Sequence, residues 1–133
     1  MSTLIIEKAK LKNLKDLIYL LFDDDLGKDR ENISETSFNN YKKSFMKILN
    51  DSNNEIFTMI LNDQIIGMMQ LTFIPGLSME GMTRCQIESV RIKKDYRNKG
   101  YGSELIKKGI EIAKLNKCGL IQLTSNKKRL KAI

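Results

Sequence analysis

The stretch "IESVRIKKDYRNKGYGSEL", residues 87–105, decides how the chain folds. It begins inside a β-rich run, residues 85–93, and ends inside a helical one, residues 100–117. Between them stand Gly100 and Gly102, one residue apart and flanked by cations. In the helical run Leu105, Ile106, Ile110 and Ala113 fall on one side, and Glu104, Lys107, Lys108, Glu111 and Lys114 on the other. A further β-rich run, "GLIQLTS", occupies 119–125. Strand, helix and strand in that order form a crossover, which predicts that the two strands are parallel neighbours. Ligands of such units bind beyond the carboxyl ends of the strands, where the glycine turn lies.

Upstream, "LIIEKA" at 4–9 reads as a first strand. Leu11, Leu14, Ile18 and Leu21 recur at helical spacing, with Leu17 beside them, and Asn13 followed by Asp16 suggests a capping box. This helix ends in "DDDLG". Ser34 predicts the cap of a second helix whose apolar stripe is Phe38, Tyr41, Phe45, Ile48 and Leu49. Residues 55–61 and 65–74 are β-rich runs joined by "NDQ", an antiparallel hairpin. The predicted order is β-α-α-β-β-β-α-β, an α+β fold.

A chain of 133 residues suits one domain, 1–133. No run approaches the roughly 18 apolar residues of a membrane span, and "MSTLIIEKAK" lacks the layout of a signal peptide, so a cytoplasmic location is expected. Histidine is absent, which removes imidazole bases, Ser-His-Asp and Cys-His machinery and the H-E-x-x-H zinc motif. Cys85 and Cys118 fall in no metal-ligand spacing and read as reduced, buried residues, a disulfide between them being the alternative. No metal site is expected.

The net charge of +7 is uneven. From Arg84 onward 14 basic residues stand against 4 acidic, a balance of +10, whereas residues 1–83 carry 9 against 12. A polyanion or phosphate-bearing partner is one reading of the basic half; a solvated lysine surface is the other. The turn itself fails the G-x-G-x-x-G pattern, because Leu105 stands three after Gly102, and no Gly-Lys-Ser/Thr closes a Walker loop. What remains is R-x-x-G-x-G, Arg97 with Gly100 and Gly102. It reads either as an anion cradle built from helix N-terminal amides or as a plain turn needing positive φ.

The longer stretch "IESVRIKKDYRNKGYGSELIKKGIEIAK" resembles the cofactor-binding motif of the GNAT N-acetyltransferase superfamily, whose R/Q-x-x-G-x-G/A turn binds the coenzyme A diphosphate. The resemblance extends over residues 55–129, and "LTFIPGL", "IESVRI" and "QLTSNKKR" are similar to a bacterial branch of that family. It implies a mixed, mostly antiparallel sheet flanked by helices and an N-acetyltransferase acting on a primary amine of a small molecule or peptide, with acetyl-CoA as cosubstrate. It implies that Asn98, Lys99, Gly100, Tyr101, Gly102 and Ser103 offer amides to the diphosphate, with Arg97 adding charge. It implies that Val90, Arg91 and Ile92 pair with the pantetheine arm, an amide near Val90 facing the thioester carbonyl.

An amine with a pKa near 10.4 is mostly protonated at neutral pH, so a base is needed. Glu88 is the candidate, two residues before Val90 and therefore expected on the same strand face; an exposed or lysine-paired strand glutamate is the alternative. Asp23, Asp24 and Asp25 would border the acceptor side in such an architecture, or form a solvated acidic turn. Members of the family continue past the fifth strand into a helix and two strands, which carry a tyrosine that protonates the departing thiolate. Here the sequence after that strand reads "NKKRLKAI", with Ala132 at the family's alanine. The expectation is a C-terminally truncated member in which Tyr19, Tyr41, Tyr96 and Tyr101 inherit no such role. Its last strand edge would be covered by a homo-oligomer. The alternative function is a small basic nucleic-acid-binding module using "RIKKDYRNK" and "NKKRLK", disfavoured by an aromatic content of only 7% and the absence of tryptophan.

Overall fold

The computed structural model describes residues 3–23 and 31–124. Five strands form one sheet in the order β1-β2-β3-β4-β5. They are β1 (Leu4–Lys8), β2 (Asn54–Leu61), β3 (Gln64–Pro75), β4 (Thr83–Ile92) and β5 (Leu120–Leu123). The first four are antiparallel neighbours, and β5 runs parallel to β4 as the crossover requires. The helices α1 (Leu14–Phe22) and α2 (Glu35–Leu49) pack on one face, and α3 (Tyr101–Leu115) on the other. The expected α+β order holds throughout the described residues. Asp24, Asp25, Ala132, the basic "NKKRLK" and the expected truncation after β5 lie outside them.

Local signals explain most of the elements. Asn62 and Asp63 adopt φ of 48° and 68°, the doubly positive geometry that matches strand twist in a two-residue hairpin, so β2 and β3 pair directly. Ser34 caps α2, its Oγ accepting from Ser37 N–H at 3.2 Å. Asn13 does not cap α1 as expected. Its Oδ1 accepts from Lys10 N–H at 2.7 Å and closes a 3-10 turn, Leu11–Asn13, that precedes the helix. That extra turn swings Leu11 into solvent, and Leu49 at the far end of α2 is likewise exposed.

The sheet separates two apolar clusters. Toward α3 lie Phe57, Met69, Leu71, Cys85, Ile87, Leu105 and Ala113; toward α1 and α2 lie Leu14, Leu17, Ile18, Phe45 and Met68. The seam of α3 differs from its sequence reading. Leu105, Gly109 and Ala113 are buried, while Ile106 and Ile110 are half-buried. Gly109 is the reason: a Cβ there would meet Ile87 Cδ1 at 3.0 Å and Met69 Sδ at 3.2 Å, so the missing side chain lets the helix approach the sheet along this line. Cys85 and Cys118 are free thiols. Burial, with neighbouring Cys118 adding to it, pushes the Cys85 thiol up to about 11, so it stays protonated and inert at neutral pH.

Leu105 has no exposed surface and anchors the first turn of α3. Leu105→Ala is expected to cost about 2–5 kcal/mol, and Ile110→Ala distinctly less, in urea unfolding monitored by circular dichroism. Equal losses at the two positions would contradict the seam assigned here.

Candidate functional site

The site begins with a defect in β4. Ser89 has φ of 54°. Across β3, Gln70 faces Glu88 and Met68 faces Arg91, so Ser89 and Val90 together oppose Met69. This is a β-bulge, and it resets the alternation of side chains. Cys85 and Ile87 before it, and Val90 and Ile92 after it, all join the cluster beneath α3. Glu88 therefore does not share a face with Val90, contrary to the period-of-two expectation. It stands on the α1/α2 face.

The second consequence concerns pairing. Strand β5 follows β4 from Arg84↔Leu120 to Ile87↔Leu123, and Thr124 N–H donates to the Ile87 carbonyl at 3.0 Å. From Glu88 to Ile92 no further strand pairs with that edge among the described residues. Five residues of main chain thus border an opening between β4 and β5, and Val90, Arg91 and Ile92 lie along it. The Val90 carbonyl accepts from Arg91 Nη1 at 3.0 Å.

This opening leads to the glycine turn. A 3-10 turn, Lys94–Tyr96, follows β4; Arg97 is extended, Asn98 has φ of 61°, and Gly100, at φ 88°, is the N-cap of α3. The N–H groups of Asn98, Lys99, Gly100, Tyr101, Gly102 and Ser103 donate to no acceptor among the described residues, and Glu104 N–H is the first to turn back, to the Gly100 carbonyl. Unsatisfied amides at the positive end of a fifteen-residue helix attract an anion. A Cβ at Gly100 would meet nothing within 4 Å, and one at Gly102 only Ile92 Cγ1 at 3.8 Å. The protein itself does not demand glycine at 102; the open approach to the amides suits a diphosphate.

Arg97 does more than add charge. Its Nε donates to the Ile92 carbonyl at 2.9 Å and its Nη2 to the Asp23 carbonyl at 2.6 Å, tying the end of α1 to the end of β4. Asp23 thereby borders the site; its acidic neighbours lie outside the described residues. Tyr96 O–H donates to Gln64 Oε1 at 3.1 Å, its ring meets Tyr101 edge-on at 6.2 Å, and Lys99 Nζ lies 5.9 Å above it. These contacts brace the turn from outside.

On the face that Glu88 occupies, a polar row crosses the sheet. In register stand Asn54, Thr72, Gln86 and Gln122, with Gln70 and Glu88 one step along. Thr72 Oγ1 donates to Asn54 Oδ1 at 2.7 Å, and Gln86 Nε2 to Glu88 Oε1 at 3.2 Å. Nothing in one-dimensional periodicity announced this row, because its members come from four strands. The bulge at Ser89 was equally hidden, serine carrying no signal for positive φ. A separate cleft of about 470 Å³ lies between α1 and the start of α2, walled by Ile18, Tyr19, Ile33 and Phe38, and contains none of the turn residues.

The profile of the Acetyltransferase (GNAT) family matches residues 14–133. No curated protein matches the chain. Among solved structures, a transcriptional regulator from Bacillus halodurans C-125 is 38% identical, superposes with a TM-score of 0.92, and is matched over 98% of this chain and 87% of its own. A GNAT family acetyltransferase of Staphylococcus aureus is 24% identical over 98% of this chain and 91% of its own, with a TM-score of 0.77. A predicted acetyltransferase from Clostridium acetobutylicum, solved with acetyl-CoA, is 16% identical over 98% of this chain and 86% of its own, also with a TM-score of 0.77. The last two show the fold alone.

The two glycines of the turn should separate by stability. Gly100→Ala forces a side chain into a left-handed backbone and is expected to cost about 1–2 kcal/mol. Gly102→Ala, with an ordinary contact and a helical backbone, should change stability by less than about 0.5 kcal/mol. Thermal denaturation of the two variants reads the difference directly.

Proposed function

Because the chain belongs to the GNAT acetyltransferase family, we propose that it transfers the acetyl group of acetyl-CoA to a primary amine on a small molecule or peptide. The observation that carries this reading is the edge of β4 from Glu88 to Ile92, unpaired among the described residues, ending in a turn of six amides with no acceptor among them. Bound there, acetyl-CoA supplies an activated acyl carbon. The amides of Asn98 to Ser103 hold its diphosphate, and Lys99 adds charge. The main chain of Val90, Arg91 and Ile92 flanks the pantetheine arm, and an amide near Val90 faces the thioester carbonyl, where negative charge develops.

The amine approaches from the other side. Glu88 sits on the α1/α2 face, one carboxylate oxygen held by Gln86 and the other directed to no protein donor among the described residues. It accepts the proton that the ammonium must lose before attack, directly or through one water. The nitrogen then gains the acetyl group and releases a second proton to solvent, the carbon–sulfur bond breaks, and the sulfur leaves as a thiolate that takes its proton from solvent. The bulge makes this division of labour: base toward the polar face, cofactor along the edge.

Calorimetric titration with acetyl-CoA tests the cofactor site. The protein should bind, and Gly102→Glu, which places a carboxylate among the amides, should lose about 100-fold or more in affinity. Equal binding by both proteins would remove the turn from the site. Glu88→Gln should lower kcat by about 100-fold or more while leaving acetyl-CoA affinity within about two-fold, as read by CoA release over a panel of amines. An unchanged rate would take the base role from Glu88.

A further inference from the structure

Past the bulge, the carbonyls on the open edge of β4 are covered by arginines. Lys93 N–H donates across to the Ile66 carbonyl at 2.7 Å, so the other end of that peptide, the Ile92 carbonyl, points the opposite way, to the unpaired edge. Arg91 faces Met68 in the same register, and main-chain groups of a strand repeat their direction every second residue. The Val90 carbonyl therefore points to that edge too, with the Ile92 N–H between the two. Each carbonyl is taken by a guanidinium: Arg97 Nε donates to Ile92 at 2.9 Å, and Arg91 Nη1 to Val90 at 3.0 Å.

Arg97 is exposed, and it also holds Asp23. Arg91 differs. Met68 opposite it belongs to the cluster beneath α1 and α2, while Val90 and Ile92 on either side of it belong to the cluster under α3. Its side chain thus leaves the strand on the α1/α2 face, and at 9% exposure it is the one buried charged residue among those described. Its Nε is enclosed with no acceptor. A methionine would fill the same space without the desolvation that a charge entails. What a methionine could not supply is the hydrogen bond to Val90.

We infer that Arg91 is a positioning residue for the acyl end of the cofactor: from the far face of the sheet it holds the Val90 carbonyl, so that the edge from Val90 to Ile92 offers N–H rather than bare carbonyl oxygen. The inference rests on the acetyl-CoA reading above. A thioester oxygen carries a partial negative charge that grows as the amine attacks, and an uncovered carbonyl dipole on the same edge would oppose it. The guanidinium offsets that dipole. Because the peptide is planar, it also fixes the plane of the unit between Val90 and Arg91. A rigid fork sets this direction, whereas an ammonium on a flexible stem supplies the charge with less control. Arg91 touches no reacting atom in this arrangement; it acts through Val90.

Calorimetric titration of the full chain with acetyl-CoA and with 3′-phospho-ADP, the nucleotide end of the same cofactor, tests the role. The nucleotide reaches the glycine turn and not the edge of β4, so it reports that a variant is folded with its turn intact. Arg91→Met keeps the length and removes the donors. It should lose about 5- to 10-fold in affinity for acetyl-CoA, the equivalent of one hydrogen bond to the ligand, and less than about two-fold for 3′-phospho-ADP. Arg91→Lys, which restores the charge without the fork, should recover part of that loss. With an amine that is turned over, kcat of Arg91→Met at saturating acetyl-CoA should fall as well, because the dipole opposes the developing oxyanion more than the ground-state carbonyl. Equal losses for the two ligands would make Arg91 a structural prop of the turn, and an undiminished acetyl-CoA affinity in Arg91→Met would leave the Val90 carbonyl in no need of cover; either result overturns the inference. If the unaltered protein bound neither ligand, the cofactor reading would fall and this inference with it. Binding without turnover would count against the transferase reading alone, because the ratio of the two affinities still decides the role of Arg91.

Discussion

Strand β4 cannot be regular along its whole length, and most of the site follows from that one interruption. At Ser89 the backbone takes a positive φ and two residues face one on β3. A side chain in that region costs on the order of 1 kcal/mol, and the extra residue spoils one rung of the ladder. The β3 pairing resumes after the bulge, so β4 stays in the sheet. The β5 pairing stops at Ile87 and Thr124 and does not resume among the described residues. One strand thereby keeps a partner on one edge and bares its main chain on the other, which is what an extended ligand needs in order to add itself to a sheet.

The same interruption sorts the side chains. Without it Val90 and Ile92 would follow Gln86 and Glu88 to the α1/α2 side, and Arg91 would turn into the apolar cluster under α3, where an ionised guanidinium would be costly to bury. With it, Val90 and Ile92 return to that cluster, while Glu88 stays with Gln86, Gln70, Thr72 and Asn54 on the face toward α1 and α2, in a row whose members already hydrogen-bond to one another. In the proposed reading, cofactor contacts and acceptor contacts are therefore divided between the edge of the sheet and one of its faces. Arg97 joins the two sides of the sheet: by holding the carbonyls of both Ile92 and Asp23 it fixes the end of α1 against the end of β4 and the glycine turn that follows.

The electrostatics suit that division. Basic residues cluster in the half of the chain that contains the turn, and the first 83 residues are slightly acidic. The turn relies less on these side chains than its cations suggest. Arg97 is occupied with carbonyls, and Lys99 lies over the ring of Tyr96. What the turn offers a ligand in the proposed reading is backbone, six N–H groups with no acceptor among the described residues, at the start of a helix whose buried residues Leu105, Gly109 and Ala113 seat it on the sheet. The packing of α3 from its first turn onward is thus what aims the amides.

The fold was legible in the sequence because its signals are local: Asn62 and Asp63 in a tight turn, Ser34 at a cap, period-two runs for strands and period-four runs for helices, and a strand-turn-helix-strand order that allows one handedness of crossover. The glycine turn was legible for the same reason, since the need for positive φ at Gly100 is written in the residue type. Other features were not. A serine says nothing of the left-handed backbone it adopts at 89, the role of Gly109 depends on Ile87 and Met69 across the sheet, and the contact of Arg97 with Asp23 joins residues 74 positions apart. The polar row is a matter of register among four strands, and register is set by all of them together. The sequence by itself determined which segments are strand or helix and where a glycine turn opens a helix N-terminus, because short-range sterics and hydrogen bonding decide those. Only the tertiary structure decided which face Glu88 and Arg91 share and where β4 stands open, because those depend on how strands align, which no single segment specifies.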